Sequence, residues 1–246
     1  MVAAQIIGLD VWLALVCVVI VLVGSGLQAS IGIGLGLLAA PTLTLIDADF
    51  VPGALVLANV PLVVGMTVRE HHHVDRGGIG RASAGRLVGA VVGAWVAATA
   101  GAGVIASIIG VTVLLAVAAS AGGVRFTPTP NSLTVAGTAA GFTGTAAGIG
   151  GPPMAITYQH ADPRVLRSSL AAFNTIGSAM TITGLVVAGV IGERELQLGL
   201  LLVPGILLGL WSGKYTIARL PPARVRTYVL VACAASALTL LIRQLV

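Results

Sequence analysis

A glycine- and proline-rich segment, GTAAGIGGPPMAITYQH at residues 144–160, interrupts an otherwise apolar part of the chain. Glycine permits a tight reversal of the backbone, and proline can begin a helix because the first helical residue needs no amide hydrogen. Residues 150–153 therefore predict a tip followed by the start of a new helix. The amides at a helix start carry partial positive charge and can bind an anion without a charged side chain. Anion binding is thus the chemistry that this segment could perform.

A second break of the same kind lies more than a hundred residues earlier, in GSGLQASIGIGLGLLAAP at residues 24–41. Gly32, Gly34 and Gly36 would present backbone amides there. The alternative for glycines in apolar helices is close helix packing. Packing and function stay open for the Gly-Ser-Gly around Ser25, whereas the adjacent prolines favour a functional role for residues 148–153. The candidate substrate-binding residues at the two breaks are Gly32, Gly34, Gly148, Gly150, Gly151 and Pro152.

The composition places these breaks inside a membrane. The chain of 246 residues is 57% hydrophobic and 9% charged, whereas soluble domains are about a quarter charged. Apolar runs of about twenty residues, enough to cross a bilayer as helices, recur along the chain. We therefore expect an all-α, polytopic protein of the cell inner membrane. The net charge of +5 lies in short loops, which fits lipid headgroups rather than nucleic acid.

Two broken stretches and six continuous spans are predicted. The broken stretches cover residues 11–46 and 132–160, and the spans cover residues 51–68, 87–100, 104–121, 166–191, 196–213 and 225–245. No Asp, Glu, Lys or Arg is expected in the middle of any span. That absence argues against a proton relay on a buried carboxylate and favours a site of neutral donors.

Charge placement favours hairpins at the breaks. If each broken stretch crossed once, the Lys and Arg residues would divide seven against six between the two sides. If each folds back instead, they divide eleven against two, as the positive-inside rule expects of cytoplasmic loops. We therefore predict re-entrant hairpins and both termini outside the cytoplasm.

The order of matching residues suggests two inverted repeats, at residues 1–122 and 131–246, each with one hairpin and three helices. Asn59 follows Gly34 by 25 residues, and Asn174 follows Gly150 by 24. Inverted repeats with broken helices meeting near the midplane are a recurrent transporter architecture. Asn59 and Asn174 could donate to a bound anion, or could form a structural hydrogen bond between helices; both alternatives stay open.

Polar residues elsewhere carry weaker signals. Asp49 and Asp162 follow the two hairpins and, with Arg164 and Arg167, could form a gate or could be ordinary interfacial charges.

His71, His72 and His73 are consecutive and no Cys or carboxylate cluster completes a set, so neither a metal nor another cofactor is expected. No catalytic constellation is recognisable, and we expect no enzyme activity. Cys17 and Cys233 are expected to be small buried apolar residues.

The segments GFTGTAAGIGGPPMAITY and GLQASIGIGLGLLAAPTL together resemble the sulfite exporter (TauE/SafE) family, also called the toluene-sulfonate uptake permeases. Members of that family show a glycine-rich motif near the start of each of two repeats, the second ending in Gly-Gly-Pro-Pro. The match at residues 150–153 is the most specific element, while Leu35 interrupts the first motif. The resemblance extends over essentially the whole chain.

This resemblance implies transport of small sulfur-containing anions such as sulfite, sulfonates, sulfoacetate or taurine-related acids. Together with the helix breaks it predicts a secondary transporter that works by alternating access, with coupling to protons or another ion and a homo-oligomeric state both left open. The competing classes are an anion channel and a non-transport membrane scaffold.

Overall fold

The computed structural model describes residues 5–121, 127–213 and 222–244. Ten α-helices lie within these ranges, after a two-residue antiparallel pairing of β1 (Gln5–Ile6) with β2 (Leu9–Asp10). The helices are α1 Val11–Ile31, α2 Leu35–Thr44, α3 Gly53–Glu70, α4 Arg76–Thr99, α5 Ala102–Ala121, α6 Pro130–Ala147, α7 Pro152–Thr157, α8 Pro163–Val187, α9 Glu193–Gly213 and α10 Pro222–Ile242. Short 3-10 turns at Ala48–Phe50 and His71–His73 precede and follow α3.

The described chain is a multi-pass membrane protein. Six of its helices (α1, α3, α4, α5, α8 and α9) are long and apolar enough to cross a bilayer. Large apolar side chains face outward from the bundle, among them Trp12, Trp95 and Trp211, each at least 66% exposed. Such exposure would be costly in water and is expected of a surface that contacts lipid. The predicted all-α class is confirmed.

Both predicted breaks are present. Each broken stretch begins and ends on the same side of the helix bundle. In the first stretch, Arg194 at the start of α9 donates to the carbonyl of Ile7 at 3.5 Å and also pairs with Asp47 and Asp49, which follow α2. In the second, Tyr158 after α7 donates to Asp75 at 2.7 Å, next to the start of α4. Because α6 runs parallel to α4, the second stretch also begins near that end.

One predicted boundary is wrong by eleven residues. The fourth helix was expected at residues 87–100, but α4 begins at Arg76, because Asp75 caps it by accepting from the amide of Gly78 at 2.9 Å. The glycines of this segment do not break the helix; they form part of its packing surface. Arg125, Lys214 and Arg219, which contributed to the charge count, lie outside the described residues.

Glycines bring two pairs of parallel helices into backbone contact. On α4, Gly85, Gly89 and Gly93 lie against the carbonyl oxygens of Thr134, Thr138 and Phe142 on α6. On α9, Gly205, Gly209 and Gly213 lie in the same way against Val18, Leu22 and Gly26 on α1. A side chain at most of these positions would collide with backbone, so the four-residue glycine spacing is a packing motif.

The two halves of the chain exchange partners through these contacts. The helix α4 packs on α6 and α8, whereas α9 packs on α1 and α3. Each half therefore supplies a long helix to the hairpin of the other half, an arrangement that two-fold related repeats would give. The inverted relation between the repeats, and their limits at residues 1–122 and 131–246, stay predictions.

We predict that Gly89→Ala destabilises the protein, whereas Gly80→Ala does not. Gly89 lies against the backbone of α6, while a methyl group at Gly80, on the same helix, would meet no atom within 4 Å. Overpacking costs about 1–3 kcal/mol, and an alanine in open helix is slightly favourable. The measurement is the melting temperature of each purified variant in detergent. Equal melting temperatures for both variants would contradict the packing motif.

Candidate functional site

The first break is formed by Gly32–Gly34 between α1 and α2. Gly32 ends α1 in the left-handed conformation, with φ of 89°, and its amide donates to the carbonyl of Gln28 at 2.8 Å. Such a backbone conformation strains residues that carry a side chain, which explains the glycine. The side chain of Gln28 turns to accept from the amide of Leu35 at 3.2 Å. One donor at the start of α2 is therefore already satisfied by the protein.

The second break is formed by Gly148–Gly151 between α6 and α7. Gly148 ends α6 with φ of 70°, and Thr143 secures the turn by accepting from the amide of Ile149 and donating to its carbonyl, at 3.1 and 2.7 Å. Pro152 and Pro153 are the first two residues of α7. Because proline has no amide hydrogen, the amides that this tip can offer are those before Pro152.

The two tips meet. A side chain on Gly36 would lie 2.7 Å from the carbonyl oxygen of Gly148 and 3.3 Å from Cα of Ile149. A pocket of about 40 Å³ lies where they converge. Three helices complete its wall, α3 through Asn59, α4 through Arg86 and α8 through Asn174. Ser178 and Thr181 of α8 also line it.

All eight residues that the sequence nominates line this one pocket. They are Gly32, Gly34, Asn59, Gly148, Gly150, Gly151, Pro152 and Asn174. The structure thus brings together residues that lie up to 142 positions apart in the chain. Their role as substrate ligands stays a prediction.

The two asparagines differ in their surroundings. The Oδ1 atom of Asn59 is buried and has no hydrogen-bond partner within the described residues. Asn174 is 9% exposed and lies near the middle of α8. An unpaired amide oxygen at this depth is costly, and as an acceptor it needs a donor, so an anion could bind Asn59 only through its amide NH₂ group.

Other neutral donors near the breaks serve the fold. Ser30 donates to the carbonyls of Gly26 and Gly213 at 2.8 and 2.7 Å, which joins α1 to α9. Thr145 exchanges a 2.9 Å hydrogen bond with Thr181. Ser25 donates to the carbonyl of Val21 at 2.6 Å and lies against Gly209. The Gly-Ser-Gly around Ser25 is therefore a packing element.

Arg86 contradicts the expectation that no charged residue occupies the middle of a span. The predicted span at residues 87–100 leaves Arg86 just outside the helix, whereas the structure places it ten residues into α4, 4% exposed, in the wall of the pocket. Its guanidinium lies over the ring of Phe173 at 4.4 Å, and Nη1 is 3.4 Å from the carbonyl oxygen of Phe173. Its Nε is buried and has no hydrogen-bond partner among the described residues.

Glycines make the room that this guanidinium occupies. A methyl group on Gly177 of α8 would overlap the guanidinium carbon itself, and one on Gly150 would lie 2.8 Å from Nη2. Gly144 is similarly near, at 3.3 Å. The second break therefore lies beside a cation supplied by α4 in the wall of the pocket.

The sequence contained a signal for Arg86 that went unused. Gly85, Gly89 and Gly93 are spaced by four residues, a pattern that belongs inside a packed helix, and Asp75 is a favourable N-cap. Together they place the start of the helix well before Arg86. If this glycine-rich, charged segment is interpreted as a loop, Arg86 is wrongly placed outside the helix.

Ion pairs lie at the two ends of α3. At its last residue, Glu70 pairs with Arg69 at 2.8 Å and with Arg167 of α8. Arg69 also donates to the carbonyl of Ala29 at 3.0 Å, near the first tip. At the start of α3, Arg194 pairs with Asp47 at 2.6 Å and with Asp49 at 2.5 Å. The two clusters are about 27 Å apart along the helix of 18 residues, and the pocket lies between them.

Comparison with known proteins adds one finding. The family model described as Sulfite exporter TauE/SafE matches residues 16–240. The match contains both breaks and all the residues that line the pocket. Neither a curated protein nor a solved structure matches the chain significantly.

Proposed function

The chain belongs to the sulfite exporter TauE/SafE family, and we propose that it is a secondary transporter for a small sulfur-containing anion such as sulfite or a sulfonate. Membership of this family and the six apolar helices support a membrane transporter. The observation that carries the finer proposal is the convergence of two helix breaks on one polar pocket. Non-helical backbone is tolerated at membrane depth where it is buried or lines a cavity.

The chemistry of the pocket favours an anion. Its polar side chains are the amides of Gln28, Asn59 and Asn174, two hydroxyl groups and the guanidinium of Arg86, and no acidic residue is among those that line it. Amides and hydroxyls can donate hydrogen bonds, and the start of α2 adds the positive end of a helix dipole. A cation or a carboxylate-linked proton would find no acceptor charge there.

Alternating access gives the two ion-pair clusters a role. The cluster of Glu70 and its arginines ties α3 to α8, the helices that carry Asn59 and Asn174. The cluster around Arg194 ties α9 to the segment that follows α2. Opening one cluster while the other stays closed would expose the pocket to one side of the membrane, and the two hairpins from opposite repeats would allow this by rocking.

Two other functions are weighed against this one. An anion channel would conduct without saturating and without exchange, and a scaffold would have no reason to bury an arginine without an acidic partner in a pocket. The neutral and basic pocket lacks the acid–base pair that hydrolytic or proton-transfer chemistry requires. Transport is therefore the function that accounts for the polar groups at this depth.

The experiment is counterflow in proteoliposomes. Vesicles are loaded with sulfite, taurine, sulfoacetate or sulfate, and entry of the labelled anion is followed with and without a pH gradient. We expect saturable exchange that is selective for one sulfur oxyanion. Entry that grows linearly with concentration would indicate a channel, and no entry through folded protein would contradict the proposal.

We predict that Asn174→Ala weakens apparent substrate affinity about 5- to 30-fold. The loss corresponds to about 1–2 kcal/mol, the value of one hydrogen bond to a charged group. Asn131→Ala is the matched control, because Asn131 is exposed at the start of α6. Concentration-dependent counterflow measures both. Wild-type affinity in Asn174→Ala would remove Asn174 from the site.

We predict that Glu70→Gln opens the pocket from the end of the molecule that bears His71–His73. The change removes the charge that holds Arg69 and Arg167 together. The probe is a cysteine introduced as Ser178→Cys, since Ser178 lines the pocket and both native cysteines are buried. The rate of its modification by a small charged thiol reagent should rise.

Glu193→Gln provides the control for that measurement, since Glu193 is an exposed residue at the start of α9 whose partner is Gln197. The same protein without Ser178→Cys gives the background rate of the native thiols. Equal modification rates in Glu70→Gln and Glu193→Gln would show that the Glu70 cluster does not close the pocket.

A further inference from the structure

Arg86 combines burial, charge and missing partners in a way that the fold does not require. The side chain is 4% exposed, its Nε has no hydrogen-bond partner within the described residues, and its one side-chain hydrogen bond to protein there is a 3.4 Å contact with the carbonyl of Phe173. An unpaired charge in a membrane interior is strongly unfavourable. Something other than these protein groups must therefore complete its coordination.

No described acidic side chain is placed to do so. The residues that line the pocket beside Arg86 include no Asp or Glu. The ion pairs among the described residues lie at the two ends of α3, around Glu70 and around Arg194. The ring of Phe173 shields one face of the guanidinium, and Nη2 lies beside Gly144 and Gly150, which line the pocket.

The geometry of the neighbouring glycines shows that this placement is built into the fold. Gly177 has no side chain where the guanidinium carbon lies, and Gly150, at the tip of the second break, gives room to Nη2. An arginine held between a helix glycine and a hairpin tip places its Nη2 next to Gly150. A guanidinium N–H at this position is a charged donor for the oxygen of an oxyanion.

A comparison of the two halves strengthens the point. Alignment of Gly85, Gly89 and Gly93 with Gly205, Gly209 and Gly213 places Ile206 opposite Arg86, and alignment of Asn59 with Asn174 places Leu62 opposite Gly177. Ile206 and Leu62 are both fully buried. The contact between α9 and α3 thus has an apolar pair at this position, whereas the contact between α4 and α8 fits a cation against a glycine. The cation is an addition to a fold that packs without it.

We propose that Arg86 supplies the positive charge that binds the transported anion, and that the substrate is a compact oxyanion whose –SO₃-type head lies between the guanidinium and the two helix breaks. This assignment rests on the proposed transport function. It specifies a single cationic ligand, at the second tip, with neutral amides from Asn59 and Asn174 completing the shell. Binding then depends on the charge of the ligand as well as on its shape.

The test uses two ligands of nearly the same shape that differ in charge, methanesulfonate and dimethyl sulfone. The increase in melting temperature that each produces is measured with purified protein in detergent, together with sulfite and sulfate. Wild-type protein should be stabilised by methanesulfonate and not by dimethyl sulfone. Arg86→Gln should weaken the binding of methanesulfonate about ten- to a hundredfold, the range of a charge-assisted contact. Arg86→Lys should retain part of the binding.

Arg81→Gln is the matched control. Arg81 lies on the same helix one and a half turns earlier and is exposed, so its replacement should leave the binding of all four ligands unchanged. Without ligand, Arg86→Gln should melt at the wild-type temperature or above it, because a buried unpaired charge has been removed. A clear fall in the melting temperature of the ligand-free variant would assign Arg86 to the fold and overturn the proposal.

A second pair of variants retains Arg86 and tests the position of its guanidinium. Gly177→Ala displaces the guanidinium, whereas Gly184→Ala, two turns further along α8, meets only the Cβ of Ala94 at 3.3 Å and Ala90 beyond it. We expect loss of methanesulfonate binding in Gly177→Ala alone. Equal binding in the two variants would contradict the proposed position of the guanidinium.

The outcomes separate this inference from the function on which it rests. Binding and counterflow that persist in Arg86→Gln overturn the role of Arg86 and leave the transporter intact. Stabilisation by chloride or formate that requires Arg86, without any effect of the sulfur oxyanions, keeps Arg86 as the anion ligand and overturns the substrate class. No stabilisation of the wild-type protein by any of these anions contradicts both.

Discussion

Every backbone amide and carbonyl inside a bilayer needs a partner, and two breaks in this chain leave several of them outside a helix. Lipid cannot supply hydrogen bonds, so the breaks at Gly32–Gly34 and Gly148–Gly151 are tolerated only because protein surrounds them. Each tip is therefore covered by helices of the other half, α8 beside Gly32 of the first tip and α3 and α4 beside Gly148 and Gly150 of the second. The exchange of partners follows from this requirement, and so does the location of the pocket.

Glycine serves this arrangement in two different ways. In α4 and α9 it removes side chains so that parallel helices approach to backbone contact, which holds each hairpin in place. At Gly32 and Gly148 it allows the left-handed turn that ends the helix. The first use is structural and the second creates the site. Gly150 and Gly177 also act by lacking a side chain, because this leaves room for the guanidinium of Arg86.

Much of the fold could be predicted because membrane insertion imposes strong patterns on sequence. Apolar length identified the spans, the charge distribution favoured hairpins, and the paired motifs nominated eight residues that line one pocket. The predicted start of α4 was wrong because glycine and arginine signal a loop in one context and a packed helix in another, although the glycine spacing and the Asp75 N-cap favour the helix. What decided between them was the surface of α6, which glycines at 85, 89 and 93 fit, and a partner surface is not visible in a local window.

A single buried cation would have a consequence for how the proposed carrier moves. If Arg86 binds the anion, the loaded pocket is close to neutral, whereas the empty pocket contains an uncompensated positive charge in a medium of low dielectric. Closing the protein around a bound monoanion then costs less than closing it around an empty site. The loaded form would reorient more readily than the empty one, which favours exchange of one anion for another over net release. The neutral donors of Asn59 and Asn174 cannot create this asymmetry, because their interactions with water and with an anion differ much less. The direction of transport would then be set by the anion gradients on the two sides and by any ion that neutralises Arg86 on the return step.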